Sequence, residues 1–202
     1  MSAGALLGRV RGHDADESLR HILDSAVVTF QKLGIRRATM GDVSMTAKVG
    51  RATLYRRFPQ KSDLVRAALL HELRRFLDDL DHRIADAPTV RERLVEGFVG
   101  GVTGVRAHPL LSRLLATEPN DVLPYVTLDA APIIAIATAY LAEHIREGVA
   151  AGELTVADPD EAAEVMVRIA HSLVLTPAGG LPCADDDATR ATARRLINAL
   201  LG

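Results

Sequence analysis

The stretch AKVGRATLYRRFPQKSDL, residues 47–64, sets the architecture of everything around it. Ala47-Lys48-Val49-Gly50 reads as a tight turn, and 51–58 as one short helix. Pro59 ends that helix, because the residue before a proline is pushed out of the helical region. Upstream, Thr39 opens another short helix. Its hydroxyl can cap the first turn, while Asp42, three residues on, favours the positive helix end. Met40, Val43 and Ala47 then face inward. Two short helices joined by a tight turn and packed on a longer first helix make a DNA-reading unit.

Such a unit needs apolar residues to lock the two helices at a steep angle, and Val43, Ala47, Val49, Leu54 and Phe58 supply them. Its second helix must bring small or hydrogen-bonding residues to a duplex groove. Here that helix begins Arg51, Ala52, Thr53 and Tyr55, followed by Arg56 and Arg57. Arginine can pair with guanine edges, and Ala and Thr methyls can touch thymine methyls. Tyr55, Arg56, Lys61 and Lys48 suit phosphate contacts, which fix register without reading sequence. With Thr39 at the preceding helix start, the candidate DNA contacts are Thr39, Lys48, Arg51, Ala52, Thr53, Tyr55, Arg56 and Lys61. Arg57 reads equally well as a solvated flank, Lys48 also reads as a solubilising turn residue, and Tyr55 also reads as a core aromatic with its hydroxyl at the surface.

Outward from this unit the chain is helical throughout. Residues 1–14 read as a flexible basic arm. Leu19, Ile22, Leu23, Ala26, Val27, Phe30 and Leu33 follow amphipathic helical spacing, and Gly34 ends that helix. A longer helix is expected over 61–85. Further helices follow near 90–106, 109–118, 122–151, 158–175 and 187–201, which makes about nine in all. Asp158-Pro159 is a strong start signal, an N-cap carboxylate followed by proline at the first helical position. Asp185-Asp186-Asp187 reads as N-terminal charge for the last helix. No segment alternates as a strand, so the fold class is all-α. The expected domains are a helix-turn-helix domain over 15–62 and a helical effector-binding and dimerisation domain over 63–202.

Charge agrees with that division. Residues 1–65 hold 11 Lys+Arg against 6 Asp+Glu, whereas 66–202 hold 13 against 20. A basic first segment beside an acidic remainder suggests that the first part meets a polyanion. The single cysteine, Cys183, allows no intrachain disulfide, there is no secretory signal pattern, and no apolar run approaches the roughly 18 residues that span a bilayer. A cytoplasmic location and no membrane partner are expected. The seven histidines have no partner at ligand spacing and no catalytic or nucleotide-binding motif is present. No metal, no cofactor and no enzymatic activity are expected.

Thr39, Val43, Ala47, Val49, Arg51, Thr53, Leu54, Tyr55, Phe58, Lys61 and Leu64 together resemble the signature of the tetracycline-repressor (TetR) family of transcriptional regulators over about residues 18–66. Lys48 and Gly50 stand where the family more often has Gly and Ser, and Gln60 where a Ser often caps the next helix. The resemblance implies a repressor that binds a near-palindromic operator as a homodimer and is released by a small ligand. It also implies that the last two long helices pair with those of a second subunit. Val165, Met166, Ile169 and Leu173 on one helix, and Leu196, Ile197 and Leu200 on the other, are the candidate interface.

The ligand cavity implied by the family should lie among the middle helices. Phe98, Val102, Leu114, Tyr125, Ile136 and Tyr140 are candidate lining, with Thr103, Thr117 and His144 as polar anchors. The Ile/Ala-rich 130–142 segment points to a hydrophobic effector. Gly97, Gly100, Gly101 and Gly104 stand out, since each costs a helix about 1 kcal/mol against Ala; they read either as close helix packing or as clearance for a ligand. Two other readings stay open: a helical carrier or enzyme that keeps a helix-turn-helix head-piece, and a ligand-independent regulator or activator.

Overall fold

The computed structural model describes residues 17–202, so the expected basic arm over 1–14 lies outside the described residues. The described residues form ten helices and no strand. These are α1 (Glu17–Arg37), α2 (Met40–Thr46), α3 (Arg51–Arg57) and α4 (Lys61–Ile84). Then come α5 (Val90–Val99, a π-helical turn Gly100–Gly104, and Val105–Ala107), α6 (Pro109–Thr117), α7 (Pro119–Val126), α8 (Ala131–Ala150), α9 (Pro159–Leu175) and α10 (Asp186–Leu201).

The single helix expected over 122–151 is two, α7 and α8, parted at residues 127–130. Pro132 explains the break: in a continuous helix it would donate no hydrogen bond and its ring would strike the carbonyl of Leu128, four residues back. Elsewhere the start and stop signals behave as their chemistry requires. Gly34, with φ +80°, interrupts α1. Asp158 accepts the amides of Asp160 and Glu161 with Pro159 at the first helical position. Asp185 accepts the amide of Ala188 to open α10.

The chain divides into two units, and the division falls within α4 and again near the starts of α6 and α8. The first comprises described residues 17–75 and 108–133. Its centre is built by Ile22, Ala26, Phe30, Val43, Leu54, Leu64 and Val65, all buried. His71, buried on α4, donates through Nε2 to Asp24 on α1 at 2.8 Å, and Arg75 reaches the same carboxylate at 3.3 Å.

The second unit comprises Phe76–Ala107 and Ile134–Gly202. Leu94, Phe98, Val102, Ile145, Met166 and Ile197 are central to its apolar core. The glycines of α5 now separate. A Cβ on Gly100 would stand 2.5 Å from Leu80 Cδ1, and one on Gly104 would stand 3.0 Å from Phe76 Cε2. At those two positions α5 lies close enough to α4 that a methyl group would require the Leu80 or Phe76 side chain to shift. A Cβ on Gly97 would make only ordinary contact with Ile84, and one on Gly101 would meet nothing within 4 Å. Arg190 on α10 grips Glu96 on α5 with both carboxylate oxygens, at 2.6 and 3.0 Å.

Among the described residues no single helix is long and apolar enough to cross a membrane, and no group of three or more His, Cys, Asp or Glu side chains is placed to hold a metal ion.

Candidate nucleic-acid interface

α2 begins with a reciprocal cap. Thr39 Oγ1 accepts the Asp42 amide at 3.2 Å, while Asp42 Oδ2 accepts the Thr39 amide at 2.8 Å and its hydroxyl at 2.6 Å. These bonds favour the ionised carboxylate and hold Asp42 below the usual aspartate range. Thr39 is exposed, but its hydroxyl is already engaged in starting the helix.

The turn after α2 is closed from several sides. The Val49 amide donates to the Ser44 carbonyl at 3.1 Å, and Ser44 Oγ donates to the Val49 carbonyl at 2.6 Å. His21 on α1 donates to the Ala47 carbonyl at 2.9 Å. Within this closed turn Lys48 takes φ +52°, in the left-handed region that favours glycine. The turn therefore has the shape that a glycine would adopt without strain, and a lysine is held there instead.

Gly50 caps α3 without a side-chain bond. Leu54 is fully buried and Phe58 buried, so they fix which face of α3 turns outward. On that outer face Arg51, Ala52, Tyr55 and Arg56 are exposed, with Tyr55 at 50%. Thr53 is half-buried. Arg51 lies back along α2, where its Nη2 would stand 3.0 Å from a Cβ at Gly41. The Lys61 ammonium donates to the Arg36 carbonyl at 3.2 Å. Gln60 does not cap α4 with its own side chain; Asp63 reaches back instead and accepts the Gln60 amide at 3.1 Å. Exposed cations, a half-exposed phenol and a helix start thus share one surface, and that surface is what a phosphate backbone and base edges require.

The residues expected for ligand and dimer contacts are less concentrated. Phe98 and Val102 are buried core, with Ile136 and Tyr140 half-buried in the same unit. Leu114, fully buried, and Tyr125, half-buried, belong to the other unit. Of the anchors, Thr103 donates to its own helix at the Val99 carbonyl, and Thr117 likewise at Arg113. His144 is buried, 3.2 Å from Asp81 and edge-on to the Tyr140 ring. Burial pushes its imidazole below the ordinary histidine value, while Asp81 and Glu147 pull the other way. Burial also raises the Tyr140 phenol. On α9 and α10, Met166, Leu173 and Ile197 are buried in the chain's own core, with Ile169, Leu196 and Leu200 packed partly buried against it. Val165 is 39% exposed.

Sequence reading missed the histidine–carboxylate pairs His71–Asp24 and His144–Asp81, and also His108–Glu72 at 3.4 Å. It also passed over Glu118 and Arg113. All of these meet partners far away in sequence, and no local spacing announces them.

Comparison with known proteins agrees with this geometry. Residues 22–68 match the model of bacterial regulatory proteins of the tetR family, and residues 90–198 match the C-terminal domain of bacterial tetracyclin repressors. The HTH-type transcriptional regulator AlkX of Mycobacterium tuberculosis is 29% identical over 186 residues, covering 89% of this chain and 85% of that one. The crystal structure of the TetR family repressor AlkX from Dietzia sp., implicated in biodegradation of n-alkanes, superposes with TM-score 0.69 at 24% identity, covering 91% and 97% of the two chains. RolR in complex with resorcinol superposes with TM-score 0.67 at 14% identity, covering 94% and 90%. Since the second family model alone spans more than half of the chain, and the first falls on the helix-turn-helix just described, the protein belongs to the TetR family of DNA-binding bacterial transcriptional regulators.

Proposed function

We propose that the protein is a repressor that binds a near-palindromic operator as a homodimer and leaves it when a small hydrophobic effector binds. The observation that carries this reading is the split in α3: Leu54 is fully buried while Arg51, Ala52, Tyr55 and Arg56 stand exposed beside it. A rod held by one buried leucine, with guanidinium groups and a phenol outside, is shaped to enter a major groove. Arg51 and Ala52 read bases, together with Thr53, and Tyr55, Arg56 and Lys48 grip phosphates. Thr39 adds a helix start facing the backbone, and Lys61 contributes charge from its seat on the Arg36 carbonyl.

Symmetry supplies the rest. A two-fold dimer would present its two copies of α3 about 34 Å apart, one turn of duplex, and so favour a near-palindrome. The exposed Val165, with Ile169, Leu196 and Leu200 left partly open, supports α9 and α10 as the pairing surface. Residues 15–62 act as the DNA-binding part and 63–202 as the effector-binding and dimerising part. Phe98, Val102, Ile136 and Tyr140 in one unit, and Leu114 and Tyr125 in the other, are the candidates for effector contact. The apolar 130–142 segment supports a hydrophobic effector, and the resorcinol complex of RolR is a precedent for a small ligand in this fold.

The test is selection of bound DNA from a random duplex library, followed by effector screening against that complex. A near-palindromic consensus is expected, with affinity falling steeply as salt rises because released counterions drive binding. A flat salt titration would sink the DNA reading. In calorimetry, binding only by charged hydrophilic compounds would sink the hydrophobic effector.

A further inference from the structure

We propose that Glu118 is a positioning residue for operator binding: it ties the linker between α1 and α2, and with it the helix-turn-helix, to the α6–α7 junction. The inference rests on the DNA-binding reading above. Glu118 ends one helix and begins the next, since its amide donates to Leu114 and its carbonyl accepts from Asp121 and Val122. The first-turn amides of α7 are open there to any acceptor within reach. The Glu118 side chain does not cap them. It crosses to α1 instead, where Oε2 accepts the Arg36 amide at 3.1 Å.

Two further features show that the crossing is built in. The Glu118 side chain is buried, at 8% exposure, although a buried carboxylate is costly unless it is bonded. Gly34 provides its seat: a Cβ there would fall 2.2 Å from Glu118 Oε1, and φ +80° already excludes most side chains. Five residues before Glu118, Arg113 donates to the Gln31 and Lys32 carbonyls, which the end of the first helical segment leaves open. Lys61 takes the Arg36 carbonyl from the other side. Both peptide groups of Arg36 are therefore held from outside α1, three residues before Thr39 opens α2. The placement of α2 and α3 follows from that anchorage.

The test compares wild type, Glu118→Ala and Glu118→Gln as full-length protein on the selected operator, with thermal unfolding and amide exchange measured alongside. Glu118→Ala is expected to weaken binding about tenfold, inside the roughly 5–150-fold range of couplings between sites. Its Arg36 amide should exchange faster, and its salt slope should stay that of wild type because no phosphate contact is removed. Glu118→Gln keeps an acceptor and should restore both affinity and protection. Should Glu118→Ala not fold, Glu118→Asp, one methylene shorter with the same charge, is expected to show the same loss. A lower melting temperature with unchanged affinity would make Glu118 merely structural and overturn the proposal. Equal losses in the Ala and Gln variants would also overturn it. Wild-type protein that selects no DNA at all would instead bring down the reading on which the proposal rests.

Discussion

The unit that carries α1–α3 and the unit that carries α9 and α10 solve different problems with the same kind of helix. In the first, an apolar core of its own lies beneath a surface of charged side chains, and the helix-turn-helix is fixed in addition by polar bonds to backbone: Thr39 with Asp42, Ser44 with Val49, His21 with Ala47, Glu118 with Arg36. In the second, the work is done by a continuous apolar core, with ionic contacts such as Arg190–Glu96 around it. A surface that must meet a rigid partner needs its contact groups held within about 0.5 Å of the productive geometry. A core that must hold helices together tolerates rearrangement if volume is conserved.

Core truncation should break this contrast most severely. Leu54→Ala and Ile197→Ala each remove a fully buried side chain, and each should cost about 2–5 kcal/mol of stability in urea unfolding. Leu54→Ala should also abolish operator binding at temperatures where the protein remains folded, because the outward face of α3 depends on it. Ile197→Ala at the same degree of folding should still bind. Equal DNA affinity for the two variants would erase the distinction between the units.

Tyr55→Ala tests the surface alone. Half-exposed and outside the core, Tyr55 should cost roughly 1–3 kcal/mol of operator binding with under about 0.5 kcal/mol of stability. Gel-shift titration and thermal unfolding separate the two. Unchanged affinity would remove Tyr55 from the interface.

The contrast also governs what could be read from the chain. Helix-turn-helix signals lie within a few residues of each other, as Thr39 with Asp42 and Phe58 before Pro59, so their spacing survives in the sequence. Periodicity likewise found α9 and α10. It joined α7 to α8 because apolar residues run on through 122–142 and only the steric demand of Pro132 interrupts them. What it could not reach are polar partners brought together by folding: Arg36 and Glu118 are 82 positions apart, and Asp24 and His71 are 47 apart. Nor does a stripe on a helix say whether it faces its own core or a second copy. Met166, Leu173 and Ile197 are already enclosed by their own chain.

In the larger unit, His144 offers a smaller and pH-dependent effect. Burial depresses its pKa in the folded state, against Asp81 and Glu147, with Arg93 also acting to lower it. The unfolded chain therefore takes up a proton near pH 6.5 that the folded protein resists. This contribution is intact above that pH and is lost as pH falls below it. Melting temperatures measured from pH 7.5 to 5.5 should fall more steeply for wild type than for His144→Gln. Parallel curves would show that the imidazole titrates alike in both states.

The smallest effect belongs to Lys48, and it opposes stability to function within a single residue. At φ +52° its backbone sits where an L side chain costs about 1–2 kcal/mol, while glycine would return about 0.5–1 kcal/mol of that through its freer unfolded chain. Lys48→Gly should accordingly stabilise the protein by a few tenths to about 1 kcal/mol. If the strained lysine is kept for its charge, the same variant should bind operator more weakly across all sequences, and its log-affinity against log-salt slope should drop by about one. A variant that is more stable with an unchanged salt slope would place Lys48 off the phosphate backbone and leave its strain without a functional reason.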